Sequence, residues 1–316
     1  MLVRNNFKNR FILFLVLCVA VVCFSVSTLR GFWAGEVLLQ RSLVPITEAS
    51  IVQHGYASHP DPSIERIPRI IHQIYKNKTI PEKWSEAHRS CREQNPPGNW
   101  THVLWTDEKG RDFIRSFYSW FLTIYDSYPY NVQRFDALRY LLLHHYGGIY
   151  LDLDVGCKKD LSPLLKYPAF FGKTTPYGVS NDVMGSEKGS ELFRQLVLSL
   201  ERNNYYRGTK YPTVMMSTGP MFVTRVLVDF LRAKSHNTTA EVSEDVRDLP
   251  VAILPPELYG MSPVSYFEHY PGSSWHGWDV WVLSNMSNRP ILFLCSGSLT
   301  LVGILYLVRR RRRIVV

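Results

Sequence analysis

Two uninterrupted apolar runs bracket the chain, and shorter periodic patterns fill the space between them. Phe11 to Leu29 and Pro290 to Val308 are each 19 residues long without a charged side chain. As helices rising about 1.5 Å per residue, each spans about 28 Å, close to the hydrocarbon thickness of a bilayer. A globular core helix of that length normally shows a polar stripe. The first run is longer than a usual signal core, so it is read as an uncleaved anchor despite a weak cleavage site at Ser25-Val26-Ser27. The second is read as a membrane helix.

Between the runs, Ile67 to Lys76 has the β-branched apolar text of a strand, and a helix is expected over Lys83 to Arg92. His102 to Thr106 reads as another strand, followed by aromatic-rich helical text from Arg111 to Tyr128. Val132 to Tyr146 carries the strongest helical spacing, and Gly147-Gly148 closes it. A strand, Ile149 to Val155, is expected to follow at once. Further alternation runs through AFFG, SELFRQLVLSL and TGPMFVTRVLVDFLRA. Strands alternating with helices predict an α/β fold with a mainly parallel sheet. Residues 30–65 read as a stem.

Charge refines this layout. The formal net charge is +9, but eight of the 36 Lys and Arg residues lie at the ends: Arg4, Lys8, Arg10 and Arg309 to Arg313. Residues 30–289 therefore hold 28 basic residues against all 27 acidic ones. The basicity belongs to the tails and does not predict a nucleic-acid partner. Positive flanks stay cytosolic, which places both termini in the cytosol and residues 30–289 across the membrane. The expected order is a cytosolic tail (1–10), a membrane helix (11–29), a lumenal stem (30–65), a catalytic domain (66–289), a second membrane helix (290–308) and a basic tail (309–316). Four glycosylation sequons, at Asn77, Asn99, Asn237 and Asn285, fit a lumenal middle. Cys91 and Cys157 are the two lumenal cysteines and could form one disulfide.

The candidate chemistry lies in GGIYLDLDVG, Gly147 to Gly156. Read as one strand, Ile149, Leu151, Leu153 and Val155 share an apolar face, and Tyr150, Asp152 and Asp154 share the other. Two such close carboxylates destabilise a fold unless a cation answers them. Oxygen-only ligands suit Mg²⁺ or Mn²⁺. The plain alternative is a surface pair balanced by Lys158 and Lys159. Asp136 and Arg139 share a helix face just upstream, and their plain reading is an exposed ion pair.

RFDALRYLLLHHYGGIYLDLDVG, with IPRIIHQIYK, TGPMFVT and HYPGSSWHGWD, resembles the glycosyltransferases that carry a DXD sugar-binding region, a family of GT-A (Rossmann-like) fold. The matching text covers about Ile67 to Asp279. With its flanking membrane helices the layout is most similar to the fungal enzymes that mannosylate inositol phosphoceramide. The resemblance implies a retaining, metal-dependent mannosyltransferase that moves mannose from GDP-mannose to inositol phosphoceramide. An α-mannosyltransferase of protein-linked glycans is the alternative. It further implies residence in the Golgi membrane, or the endoplasmic reticulum, and a regulatory membrane subunit. By the same resemblance Asp154 binds Mn²⁺ or Mg²⁺ directly, and Asp152 serves metal, ribose or both. Asp136 contacts sugar hydroxyls, and Arg139 contacts sugar and phosphate. His269 is the third metal ligand, with His276 as its rival. Ser274 and Trp275 line the diphosphate. Tyr75 contacts the base, and Asn181 and Asp182 face sugar or acceptor, unless they simply form a turn. A metal-dependent phosphoesterase would want more clustered His and Asp ligands than the chain shows, and a catalytically dead subunit would not need the acidic pair.

Overall fold

The computed structural model describes residues 34–43, 65–175, 177–237, 250–260, 262–272, 277 and 279–280. The apolar runs 11–29 and 290–308 lie outside the described residues. Among those described, Lys210–Ser235 is long and apolar enough to cross a membrane, but it is 67% buried inside the protein and behaves as a core element.

A six-stranded mixed sheet organises the chain. In order of sequence its strands are β1 (Ile70–Ile74), β2 (Thr101–Trp105), β3 (Gly148–Leu151), β5 (Ala169–Lys173), β6 (Val179–Ser186) and β7 (Ala252–Leu254). In space they run β2-β1-β3-β6-β5-β7. β1 pairs parallel with β2 and β3, and β5 pairs parallel with β7. β6 runs antiparallel to both neighbours, so the sheet is less parallel than the sequence suggests. A separate ribbon joins β4 (Val155–Cys157) to β8 (Phe267–His269).

Apolar residues cover both sheet faces. Tyr150, Phe171, Met184 and Ile253 pack into one core; Ile149, Leu151, Phe170, Val183 and Leu254 pack into the other. Helix α2 (Glu82–Gln94) belongs to the second side, through Ala87 and Cys91. The first side holds α3 (Asp107–Phe117), α4 (Leu122–Ser127), α5 (Asn131–Tyr146), α6 (Glu191–Asn203), α7 (Lys210–Ser217) and α8 (Pro220–Asn237). α5 is buried continuously from Asp136 to Leu143, as expected of a helix enclosed on every side. Its C-cap is Gly147, at φ +69°; Gly148 follows at φ +99° with its Cα against the Ile70 carbonyl, where a Cβ would lie 2.6 Å from the oxygen. Helix α9 (Pro256–Tyr259) closes the second core.

The chain passes from β1 through α2 to β2, then through α3–α5 to β3 on the opposite side of β1. That reversal places a crevice at the carboxyl ends of β1 and β3, where open α/β sheets bind ligands. Two further observations bear on the layout. Cys91 and Cys157 are joined, fastening α2 to β4. Part of the segment read as a stem packs on the domain as helix α1 (residues 34–41). Leu39 is fully buried, and Glu36 pairs with Lys173 at 2.9 Å.

Candidate active site

The expected single strand through both aspartates is not what forms. β3 ends at Leu151, and the Val155 amide donates to the Asp152 carbonyl at 3.0 Å, closing a tight turn. Aspartate favours turns over strand interiors, and the ladder resumes only in the β4–β8 ribbon. The carboxylates therefore project from a turn rather than from one strand face. Tyr150, expected on a polar face, is buried in the first core with Asp152 above it; its hydroxyl donates to Asp152 Oδ1 at 2.5 Å.

Arg139 is the hub beneath this turn. Its guanidinium pairs with Asp136 at 2.9 Å and Asp152 at 3.2 Å, and Nη1 donates to the Asn181 carbonyl at 2.6 Å. It also lies 4.5 Å from the centre of the Tyr150 ring. Asp136 accepts from Arg139 and from Asn181 Nδ2 on one oxygen and from Thr218 Oγ1 on the other. The Asp136 and Arg139 side chains each keep only 5% of their surface, so this is no exposed ion pair. Asp152 keeps 31% and faces the opening. Arg139 Nε, also buried, has no partner among the described residues.

These groups line a cleft of about 660 Å³. Tyr75 and Trp84 meet edge to face, 6.0 Å apart, on one part of its wall, and Asp154, Asn181 and Asp182 also contribute. Gly272 closes directly over Asp154: a Cβ there would stand 1.6 Å from Oδ2. The Tyr270 amide donates to the Asp154 carbonyl at 2.8 Å, so the segment after β8 is laced to the turn.

Electrostatics follow from this crowding. Burial, with Asp154 and Asp182 nearby, pushes Asp152 up to about 7 against the pull of Arg139. Burial also raises Asp154, assisted by Asp182, and raises Asp136 against Arg139, Thr218 and Asn181. His269 stands opposite Val155 in the ribbon, 3.2 Å from Asp182. Burial lowers its affinity for a proton, but Asp182, Asp154 and Asp152 outweigh burial and raise it. Asp182 is itself depressed: burial is outweighed by His269, Ser180 and Tyr259, whose hydroxyl lies 2.8 Å from Oδ1.

The structure thus brings Tyr75, Asp136, Arg139, Asp152 and Asp154 to one cleft. It sets His269 beside that cleft, turned toward Asp182. Asn181 and Asp182 sit in strand β6 rather than in a turn. Ser274, Trp275 and the rival His276 lie outside the described residues. Several contributors carried no local signal: Thr218 and Tyr259 reach the site from 82 and 77 residues away from their partners. Tyr150, which the sequence puts on one face with Asp152, does reach it, but from within the core.

Residues 81–171 match the glycosyltransferase sugar-binding region containing the DXD motif. Inositol phosphoceramide mannosyltransferase 1 of Schizosaccharomyces pombe is 40% identical over 257 residues, covering 79% of this chain and 76% of that protein. The chain belongs to the DXD glycosyltransferases. Mannosyl phosphorylinositol ceramide synthase SUR1 of Saccharomyces cerevisiae is 36% identical over 288 residues, covering 90% of this chain and 72% of that one. Inositol phosphoceramide mannosyltransferase 3 of S. pombe is 44% identical over 242 residues, covering 77% of this chain and 65% of its own.

DXD glycosyltransferases generally work with a divalent metal, and this site suits one. Carboxylate oxygens are hard ligands, and Asp152, Asp154 and Asp182 all line the one cleft. Among the described residues no three His, Cys, Asp or Glu side chains converge on one point. A glycosyltransferase cation of the Mg²⁺ type needs no such cage, because one or two carboxylates and the substrate's phosphates complete its shell.

Proposed function

We propose that the protein is a GT-A glycosyltransferase that moves mannose, with retention, from GDP-mannose to the inositol of inositol phosphoceramide. The observation that carries the reading is the turn holding Asp152 and Asp154 at the carboxyl end of β3, over a buried arginine, in a chain this similar to named mannosyltransferases.

Asp154 and Asp152 would hold Mn²⁺ or Mg²⁺, with His269 as the third protein ligand once it turns from Asp182. When bound, the cation offsets charge developing on the departing nucleoside diphosphate. Arg139 is locked in place by Asp136, Asp152 and the Asn181 carbonyl, and its unmade Nε–H is a donor for a donor-sugar or phosphate oxygen. Such a preset donor needs no reorganisation as charge builds. Asp136 orients Arg139 and presents its remaining lone pair to sugar hydroxyls. Tyr75, with Trp84, supplies an aromatic wall for the base, and the family resemblance assigns the diphosphate to Ser274 and Trp275.

The proposed setting is the Golgi membrane, with both termini cytosolic and the catalytic domain lumenal. The sequons at Asn77 and Asn99 are both exposed, which supports that side. Two membrane helices hold the cleft near a lipid headgroup, and a regulatory membrane subunit would join them there.

The test is a transfer assay with the full chain in detergent. Labelled GDP-mannose and Mn²⁺ are offered with inositol phosphoceramide or a mannose oligosaccharide. Transfer to the lipid is expected; transfer to the oligosaccharide alone would sink the lipid reading. Asp154→Ala should remove activity while leaving thermal unfolding intact, and near-normal turnover would refute the metal role.

A further inference from the structure

We infer that Lys210 is the acceptor-binding residue that reads the phosphodiester of the lipid headgroup. The inference rests on the lipid acceptor proposed above and assigns the part of the cleft that takes it.

Among the described residues the cleft is lined by two cationic side chains, Arg139 and Lys210. Arg139 is committed to Asp136 and Asp152. Lys210 is near no carboxylate within ion-pair distance among the described residues; its ammonium stands 5.7 Å from the centre of the Tyr130 ring. An inositol phosphoceramide headgroup carries one negative charge, on the phosphodiester, and a compact ammonium is a suitable point partner for it. Arg139 and the acidic turn serve the donor, which leaves Lys210 for the acceptor.

The spacing agrees. Tyr130 caps the N-terminus of α5, and Arg139 lies nine positions further along, about 13 Å down the helix axis. A transferred hexose and an inositol ring can lie side by side in that interval, with the phosphate beyond them at Lys210. Asn131 and Val132 line the same stretch.

Apolar residues share the cleft wall with Lys210. Val214, one helical turn later on α7, and Pro220 both line the cleft. Met216 and Met221, close to them in sequence, are 41% and 38% exposed. A charge on a wall shared with apolar side chains suits a headgroup joined to ceramide better than a free inositol phosphate. Lys210 also opens α7, where a cation opposes the helix dipole. Asp279 holds this end in place, accepting from the Tyr211 amide at 2.6 Å. Asp279 is eleven positions before Pro290, so the extended chain between them reaches at most about 40 Å. In the proposed topology the rim bearing Lys210 is therefore within that reach of the second apolar run.

The test compares wild type, Lys210→Gln and Lys210→Arg as full chains in detergent. The Gln variant should raise KM for inositol phosphoceramide about 10- to 100-fold, the size of a lost hydrogen bond between charged groups. KM for GDP-mannose should stay within about twofold of wild type, and Arg should restore most of the loss. Calorimetry with glycerophosphoinositol, which carries the headgroup without the ceramide, should show the same loss in the Gln variant. An unchanged acceptor KM, or a rise confined to GDP-mannose, would overturn the assignment while leaving the proposed reaction standing. A wild type that transfers nothing to inositol phosphoceramide would overturn the reaction and this inference together.

Discussion

Single residues in this protein act through how tightly they are enclosed. Gly272 shows this most directly. A methyl group there would collide with Asp154 Oδ2 and with little else. A carboxylate end can swing aside cheaply, so Gly272→Ala should unfold within a degree or two of wild type. It should nonetheless lose most transferase activity, because the group that moves is a candidate metal ligand. Steady-state kinetics beside a thermal melt check both halves. His72 carries a different prediction. It is fully enclosed between Gly147, whose carbonyl is 3.0 Å from Nε2, and Trp105, whose indole N–H donates to Nδ1 at 3.1 Å. That arrangement uses the neutral ring, with its proton on Nε2. Burial is the main reason its pKa falls from 6.5 to about 4. Above 6.5 neither folded nor unfolded His72 is charged and stability is unaffected. As pH falls from 6.5 toward 4, the unfolded chain takes a proton that the folded one refuses, so stability drops by about 3 kcal/mol. Melting temperature against pH in wild type and His72→Gln should differ in slope within that window, and parallel curves would refute the assignment.

At the scale of elements, legibility in the sequence depended on how local the cause was. The helix over 131–146 was readable because its spacing, its glycine stop and the following strand are contiguous. Strand β1 and helix α2 were readable for the same reason. The turn at Asp152 was not, because alternation of apolar residues continues through Leu153 and Val155 although the pairing partner changes from β6 to β8. The plain alternative of a turn at Asn181 and Asp182 does not form: burial within strand β6 overrides the turn preference of those residue types. Thr218 and Tyr259 were invisible, being ordinary residues brought in by tertiary contact. The disulfide between α2 and β4 closes a separation of 66 residues. By loop entropy, Cys91→Ala with Cys157→Ala should lower stability by about 4 kcal/mol, measurable as a lower melting temperature. Indistinguishable melts would show that packing alone holds α2 against the ribbon.

At the scale of the whole molecule, the site is assembled largely from the first half of the domain and completed by its end. β1, α5 and the Asp152 turn set the floor, whereas Gly272, His269 and Asp279 arrive more than a hundred residues later. The C-terminal segment that carries them leads toward the second apolar run. In the proposed topology, membrane attachment and cleft completion therefore share one stretch of chain. In the sequence this appeared only as separate motifs.

The docked segment 34–43 has a consequence for how the protein can be handled. β7 is one of the two edge strands, and its free side is met by Ser42, whose carbonyl accepts from the Ile253 amide at 2.8 Å, and by Leu43, which bridges Ile253 in parallel. A fragment cut at residue 65, where the sequence suggests the compact part begins, would bare that edge together with the pocket left by Leu39. Unpaired edges recruit other chains. With both fragments ended before Pro290, the shorter should self-associate in light scattering, whereas one begun at residue 34 should remain monodisperse. Ten residues that look like a tether thus serve as a guard against aggregation.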